Sequence, residues 1–412
     1  MKIGILGAGI SGLSIGKLLS SQHEVEILER HMEPGGIAKT KNFDGIPYHT
    51  VGGHCFNSKH LDVLAFVFSK ILPEEKWDLI QRKSSIQFKN REISYPIEFA
   101  VREIHAFNPE LAYKIIEDYL IAQQDLSNVH NLEDWFVSSF GKTLAEEYFI
   151  PYNRKIWNIE PKEMSHEWVK EKLPIPDRKA FMQSLFNELK DNMSHRLFYY
   201  PKNNQTNTFI KALADGLKIL FGYNVFSIRY SNRNKKWIIN DTQHYDLIIN
   251  TLPLNIVPSL IENCPLEIVD EAQKLRYNRI TTMLWESAQT SNTWTYIPEP
   301  ESIFHRYIHI SNFAGSQKSY TITEAVGERS YDEMANCGRK DPFLKTPLDH
   351  NVSDHAYVVF DKNYNTSKDT ILKYLKQIGI YTLGRFGEWD YYNMDICIKK
   401  SLELYKLLQD EH

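Results

Sequence analysis

The sequence predicts an α/β protein built from a parallel-sheet domain, an inserted helical domain and an antiparallel β-sheet domain. Three observations predict it. A glycine-rich turn joins an apolar strand to a helix near residue 10, apolar residues recur at helical spacing through 61–195, and short β-branched and aromatic runs crowd 275–325.

The first element is an apolar strand at residues 2–6 (KIGIL), followed by Gly7-Ala8-Gly9-Ile10-Ser11-Gly12 and a helix through 13–20. A second strand, 24–28 (EVEIL), ends at Glu29, about 20 residues after the glycines, where an acid that binds a ribose hydroxyl is expected. Each glycine has a physical task. Gly7 permits the tight turn, Gly9 lets a phosphate approach the backbone, and Gly12 lets helix and strand pack closely. The free N–H groups of the helix start, with Ile10 and Ser11 among them, then face the anion. This is the Rossmann-like arrangement. A second glycine pair follows Arg30, in Glu33-Pro34-Gly35-Gly36, as in flavoproteins whose FAD crosses a second loop.

Helices are expected at 61–71, 96–106, 109–122, 132–140, 143–149 and 179–192, which reads as an insertion. After a polar loop at 202–208, a helix at 209–220 and strands at 223–230, 236–239 and 247–250 return to the first domain, the last strand running into Thr251. Strand-like runs at 281–285, 294–297, 303–311 and 319–324 form the antiparallel sheet. Residues 326–355 read as polar and irregular, 356–360 as a strand, 367–377 as a helix, 380–383 as a strand and 395–409 as a closing helix. The domains are then 1–60, 196–270 and 366–412 together, 61–195, and 271–365.

The 412 residues exceed a single core, and a net charge of −4 gives no basic field for nucleic acid or a membrane surface. Cys55, Cys264, Cys337 and Cys397 form no CxxC pair, so neither a zinc site nor a disulfide framework is read, and no apolar run spans a membrane. A cytoplasmic location is expected. The aromatic share is 13%, with 23 Tyr. Tyrosine suits sites that hold sugars and nucleotides by one apolar face and one hydroxyl.

Several segments, in order, resemble the flavin-dependent UDP-galactopyranose mutases and related nucleotide-sugar mutases. They are GAGISG (7–12), VGGHCF (51–56), YNRKIW (152–157), FHRY with SNF (304–307 and 311–313), and GRFG with YYNMD (384–387 and 391–395). The resemblance implies an isomerase, with no metal, that interconverts the pyranose and furanose forms of a nucleotide-diphosphate hexose such as UDP-galactose. FAD would be active in its reduced form, its N5 acting as nucleophile on the anomeric carbon, with NAD(P)H or another reductant for activation.

Site roles follow from the same resemblance. Arg306 corresponds to the arginine that binds the diphosphate, and its planar fork suits that task. The second cation expected from the helical domain is Lys172 or Arg178. Tyr152, Trp157, Tyr357 and Tyr391 correspond to aromatic positions lining the pocket, and Phe181 is the candidate for stacking on the base. His54, Arg306 and Tyr391 are the candidate catalytic residues. Candidate FAD contacts are Gly7, Gly9, Ile10, Ser11, Gly12, Glu29, Arg30, Gly35, Gly36, Gly53, His54, Val225, Thr251, Gly384, Arg385, Asn393 and Met394. The sugar stays open between a UDP-galactose-like hexose, a dTDP-fucose and a UDP-N-acetylhexosamine, and a homodimer stays open too. The rival readings are an FAD-dependent oxidoreductase of the amine-oxidase or desaturase type, and a non-enzymatic flavin-binding protein.

Overall fold

The computed structural model describes the chain apart from residues 123–126, 170–172, 174, 176, 188–195, 203–205, 315, 317 and 412. Strand β1 (Lys2–Leu6) lies at the centre of a five-stranded parallel sheet. On one side it pairs with β2 (Glu24–Leu28), which pairs in turn with Lys218–Leu220; on the other lie Leu247–Asn250 and then Ile380–Thr382. Ile3, Ile5, Ile27, Ile248 and Ile249 are fully buried, as strands covered on both faces require. Helix α1 (Ile10–Leu19) covers one face together with the closing helix Met394–Glu411, where Ser401 donates its hydroxyl to the Ser11 carbonyl.

A seven-stranded sheet forms the second layer. Its order is Leu344–Val358, Tyr277–Ser287, Tyr320–Val326, Phe304–Ile308, Trp294–Tyr296, Ser84–Phe88 and Arg91–Ser94. All neighbours are antiparallel except Trp294–Tyr296 with Ser84–Phe88. The helices Val101–Phe107, Pro109–Ile121, Leu132–Phe140, Ile150–Trp157 and Arg178–Phe186 carry a core rich in aromatic rings. Among the described residues, no helix is long and apolar enough to cross a membrane.

Four stretches differ from the sequence reading. Residues 61–195 are not helical throughout, because Trp77–Gln81, Ser84–Phe88 and Arg91–Ser94 are strands, too short and too mixed in polarity to show a period. The helix expected at 209–220 is Thr206–Ala214; Gly216, at φ +72°, follows it, and Lys218–Leu220 becomes the sheet edge beside β2. The strand expected at 223–230 is confined to Ile228–Ser231. Residues 326–355 are not irregular. They hold the helix Tyr331–Gly338, closed by a Ser330/Glu333 capping box, and most of the strand Leu344–Val358. Register shifts against Tyr277–Ser287 break that strand's alternation, which hid it.

Candidate functional site

The glycine turn is built as its sequence demands. Gly7 sits at φ +100° and donates to the Leu28 carbonyl, 2.8 Å away. A Cβ on Gly12 would lie 2.0 Å from the Gly7 carbonyl oxygen, so helix and turn touch there, whereas a Cβ on Gly9 would meet nothing within 4 Å. Gly9 bridges to Gly35, whose N–H donates to the Ala8 carbonyl at 2.7 Å, and Gly36 follows at φ +55°. Two glycine turns thus form one cradle, open at Gly9.

Buried Glu29 accepts from the backbone N–H groups of Ala8 (2.8 Å) and His31 (2.9 Å), which fixes its carboxylate at the end of β2. Arg30 is exposed and bonds His31. The backbone of Tyr223 pairs with Glu29, which brings the buried Val225 to the same corner. Thr251 closes the turn from below, its hydroxyl donating to the Leu6 carbonyl at 2.6 Å. Gly384 (φ +94°) lies so near Ser11 that a Cβ would stand 2.4 Å from its Oγ. Exposed Asn393 and buried Met394 open the closing helix.

The loop Gly52–His54 runs between this cradle and the large sheet. Gly53 packs on the Trp294 indole, 2.7 Å from where its Cβ would be. His49 fixes the loop from behind. Its Nδ1 accepts the His54 N–H at 2.7 Å, so the proton lies on Nε2, which faces the Tyr200 hydroxyl at 2.8 Å. Burial, aided by the neighbouring His54, lowers the His49 imidazole to about 3. Burial and the Arg385 charge lower His54 to about 4.

Arg306 lies on the sheet directly opposite Glu324 in register. Its Nε donates to Glu324 Oε2 at 2.6 Å, its Nη2 also contacts that oxygen, and Nη2 donates to the Tyr357 hydroxyl at 2.7 Å. Glu324 is fully buried, and its Oε1 accepts the Gly52 N–H at 2.5 Å. A bulge between Phe304 and Arg306 lets His305 approach the same carboxylate, at 3.5 Å. Burial would raise the Glu324 carboxyl, but Arg306, His305 and the Gly52 N–H outweigh it and hold it at about 2.

Tyr357 stacks on Tyr391 (6.1 Å), and the Arg385 guanidinium lies 4.2 Å over the Tyr391 ring. Trp157 meets both tyrosines edge-on, with its indole N–H on Asn153. Arg306, Tyr357, Tyr391, Arg385 and Trp157 therefore form one cluster. Tyr152 lies half-buried between Tyr148 and Tyr296.

Two sequence expectations fail here and one falls outside. Phe181 is fully buried and stacked on Tyr119 at 3.8 Å, a core contact with no face left for a base. Arg178 is exposed and donates to the Ala122 carbonyl at the end of Pro109–Ile121, not to the cluster. Lys172 lies outside the described residues. Sequence reasoning missed Glu324, and also Arg82, whose guanidinium lies 4.9 Å over Trp294 and donates to the Tyr296 hydroxyl. The Arg82 and Arg306 charges are near enough to act on each other.

These residues fit a dinucleotide whose ring system reaches the Gly52–His54 loop. The cradle leaves space at Gly9. Among the described residues, the buried His54 Nε2 and Arg385 Nε have no hydrogen-bond partner, although buried polar atoms ordinarily do.

The buried histidines also set an acid limit. His309, held between Thr295 and Thr321, is lowered by burial to about 3, like His49. Both stay neutral in the fold but protonate near pH 6.5 when unfolded. Their stabilisation is complete above that pH and is lost as pH falls toward 3. Urea unfolding is expected to show a loss of about 4 kcal/mol from the pair between pH 7 and pH 5. Stability that stayed flat over this interval would refute the assignment.

Fold and site together give a Rossmann-like domain beside a separate sheet that presents a buried arginine–glutamate pair. Residues 5–67 match the NAD(P)-binding Rossmann-like domain family. The chain is 26% identical over 183 residues to dTDP-fucopyranose mutase of Escherichia coli, covering 42% of this chain and 46% of that protein. It is 26% identical over 223 residues to a probable UDP-galactopyranose mutase of Klebsiella pneumoniae, covering 51% and 52%. The chain thus spans about half the length of the curated relatives it matches. Among solved structures, reduced UDP-galactopyranose mutase superposes with a TM-score of 0.86 at 20% identity, over 100% of this chain and 94% of that one. A putative protoporphyrinogen oxidase from Exiguobacterium gives 0.75 at 14% identity, over 100% and 99%. The resemblance to nucleotide-sugar pyranose mutases therefore holds in sequence, and the fold is that of UDP-galactopyranose mutase.

Proposed function

We propose that the chain is an FAD-dependent isomerase that interconverts the pyranose and furanose forms of a nucleotide-diphosphate hexose. The observation that carries this reading is Arg306, held by Glu324 in a tyrosine-lined cluster and tied through that carboxylate to the loop of His54. The putative protoporphyrinogen oxidase shares the fold, so the fold does not choose the chemistry. An amine or polyene needs no cation of this kind, whereas a departing diphosphate does.

Bound and reduced, FAD would supply at N5 a nucleophile for the anomeric carbon. The chain supplies the rest. Arg306 balances the charge of the diphosphate as it leaves and returns. Burial pushes the Tyr357 phenol up, so it remains a hydroxyl able to donate to phosphate oxygen. Tyr391 and Tyr152 offer further hydroxyls, and Trp157 offers an apolar face to the sugar. Arg82, beside Tyr296 and close enough to interact with Arg306, is a candidate for the second cation alongside Lys172.

Turnover is expected only with reduced protein, with no reductant consumed per product. Equal rates with oxidised protein, or one NAD(P)H oxidised per product, would sink the reading and favour an oxidoreductase.

A further inference from the structure

Arg306 grips Glu324 through its Nε and Nη2 edge, and among the described residues its Nη1 has no partner. A diphosphate approaching Nη1 would therefore share the guanidinium with a carboxylate already in place. Glu324 is fully ionised at neutral pH, fully buried and fixed at its second oxygen by the Gly52 N–H. It cannot swing away without breaking the loop contact. Two like charges on one guanidinium in a poorly screened interior repel each other.

We propose that Glu324 is a resident counter-charge that holds Arg306 in place while the anion site is empty and keeps diphosphate affinity low enough for release. This rests on the reading of Arg306 as the diphosphate contact. The chemistry in that reading favours such a device, because the diphosphate stays on the protein while it is off the sugar but must depart with the product at the end of every turnover.

A merely structural Glu324 and a counter-charge predict opposite signs. Glu324→Gln keeps an oxygen for the Gly52 N–H but leaves Arg306 as a buried charge without its partner. A bound diphosphate would then supply the missing charge. UDP titrated into the FAD-loaded protein is expected to bind at least about tenfold more tightly to Glu324→Gln than to wild type, and to raise its melting temperature by more. Glu324→Asp keeps the charge and is expected to bind no more tightly than wild type.

Equal or weaker binding by Glu324→Gln would overturn the proposal, as would tightening by Asp as large as that by Gln. If Glu324→Gln does not fold alone, purification with UDP is expected to rescue it. Failure both with and without UDP would assign Glu324 to the fold only, against the proposal. Arg306→Ala separates the two layers. If it binds UDP like wild type, the diphosphate reading itself fails; if it loses UDP while Glu324→Gln shows no gain, only the counter-charge inference fails.

Discussion

Replacing Arg306 by alanine is expected to weaken UDP or dTDP binding by between about 30-fold and several thousand-fold while FAD stays bound. The range is that of truncating one partner of a desolvated charge pair, about 2–5 kcal/mol. The structure adds a second consequence. Glu324 is fully buried and its low pKa depends on Arg306, so the variant leaves a carboxylate with its main partner gone. Breaking a buried pair in this way costs about 3–5 kcal/mol of stability. Arg306→Met combined with Glu324→Gln removes both charges and is expected to recover much of that stability but none of the nucleotide binding. Arg306→Lys should recover only part of the affinity, because a point charge cannot hold Glu324 side-on and offer a second edge to phosphate. Flavin fluorescence titration and thermal unfolding read the two effects separately. An Arg306→Ala variant with unchanged nucleotide affinity would make this arginine purely structural.

The glycine turn gives the second large effect. Gly9→Ala is expected to leave the apoprotein as stable as wild type and to weaken FAD binding by about 5- to 150-fold. Gly9 has φ −77° and ψ 179°, which alanine adopts freely, and its Cβ would meet no protein atom within 4 Å. Any penalty must therefore come from a ligand in that space, and overpacking by one methyl costs about 1–3 kcal/mol. Gly12→Ala is expected to behave differently, since its Cβ would lie 2.0 Å from the Gly7 carbonyl and must displace the turn itself. Thermal unfolding of both apoproteins, followed by FAD titration, checks the contrast. Wild-type FAD affinity in Gly9→Ala would mean that the cofactor lies elsewhere.

The amino-terminal βαβ unit was legible because its apolar runs and its glycines each admit one structural explanation. Arg306 was legible as a cation on a strand among aromatic residues, within segments that resemble the mutases. Glu324 was not. In sequence it is one polar residue in a short alternating strand, and its burial arises only when a bulge at His305 and a loop about 270 residues earlier close over it. Phe181 misled because an aromatic residue at helical spacing is equally suited to a core, and its stacking on Tyr119 is visible only in three dimensions. Arg82 was hidden in the two-residue link between the strands Trp77–Gln81 and Ser84–Phe88, and its aromatic partners, Trp294 and Tyr296, lie far along the chain. The strand Leu344–Val358 was hidden by its own register shifts.

The most direct measurement is the product formed when dithionite-reduced, FAD-loaded protein meets UDP-galactopyranose, dTDP-fucopyranose and a UDP-N-acetylhexosamine in turn. Separation of the nucleotide sugars by chromatography is expected to show the furanose isomer of at least one of them, with mass and nucleotide unchanged and dithionite serving only to reduce the flavin. No furanose from any of the three, together with net oxidation of an added substrate, would contradict the account.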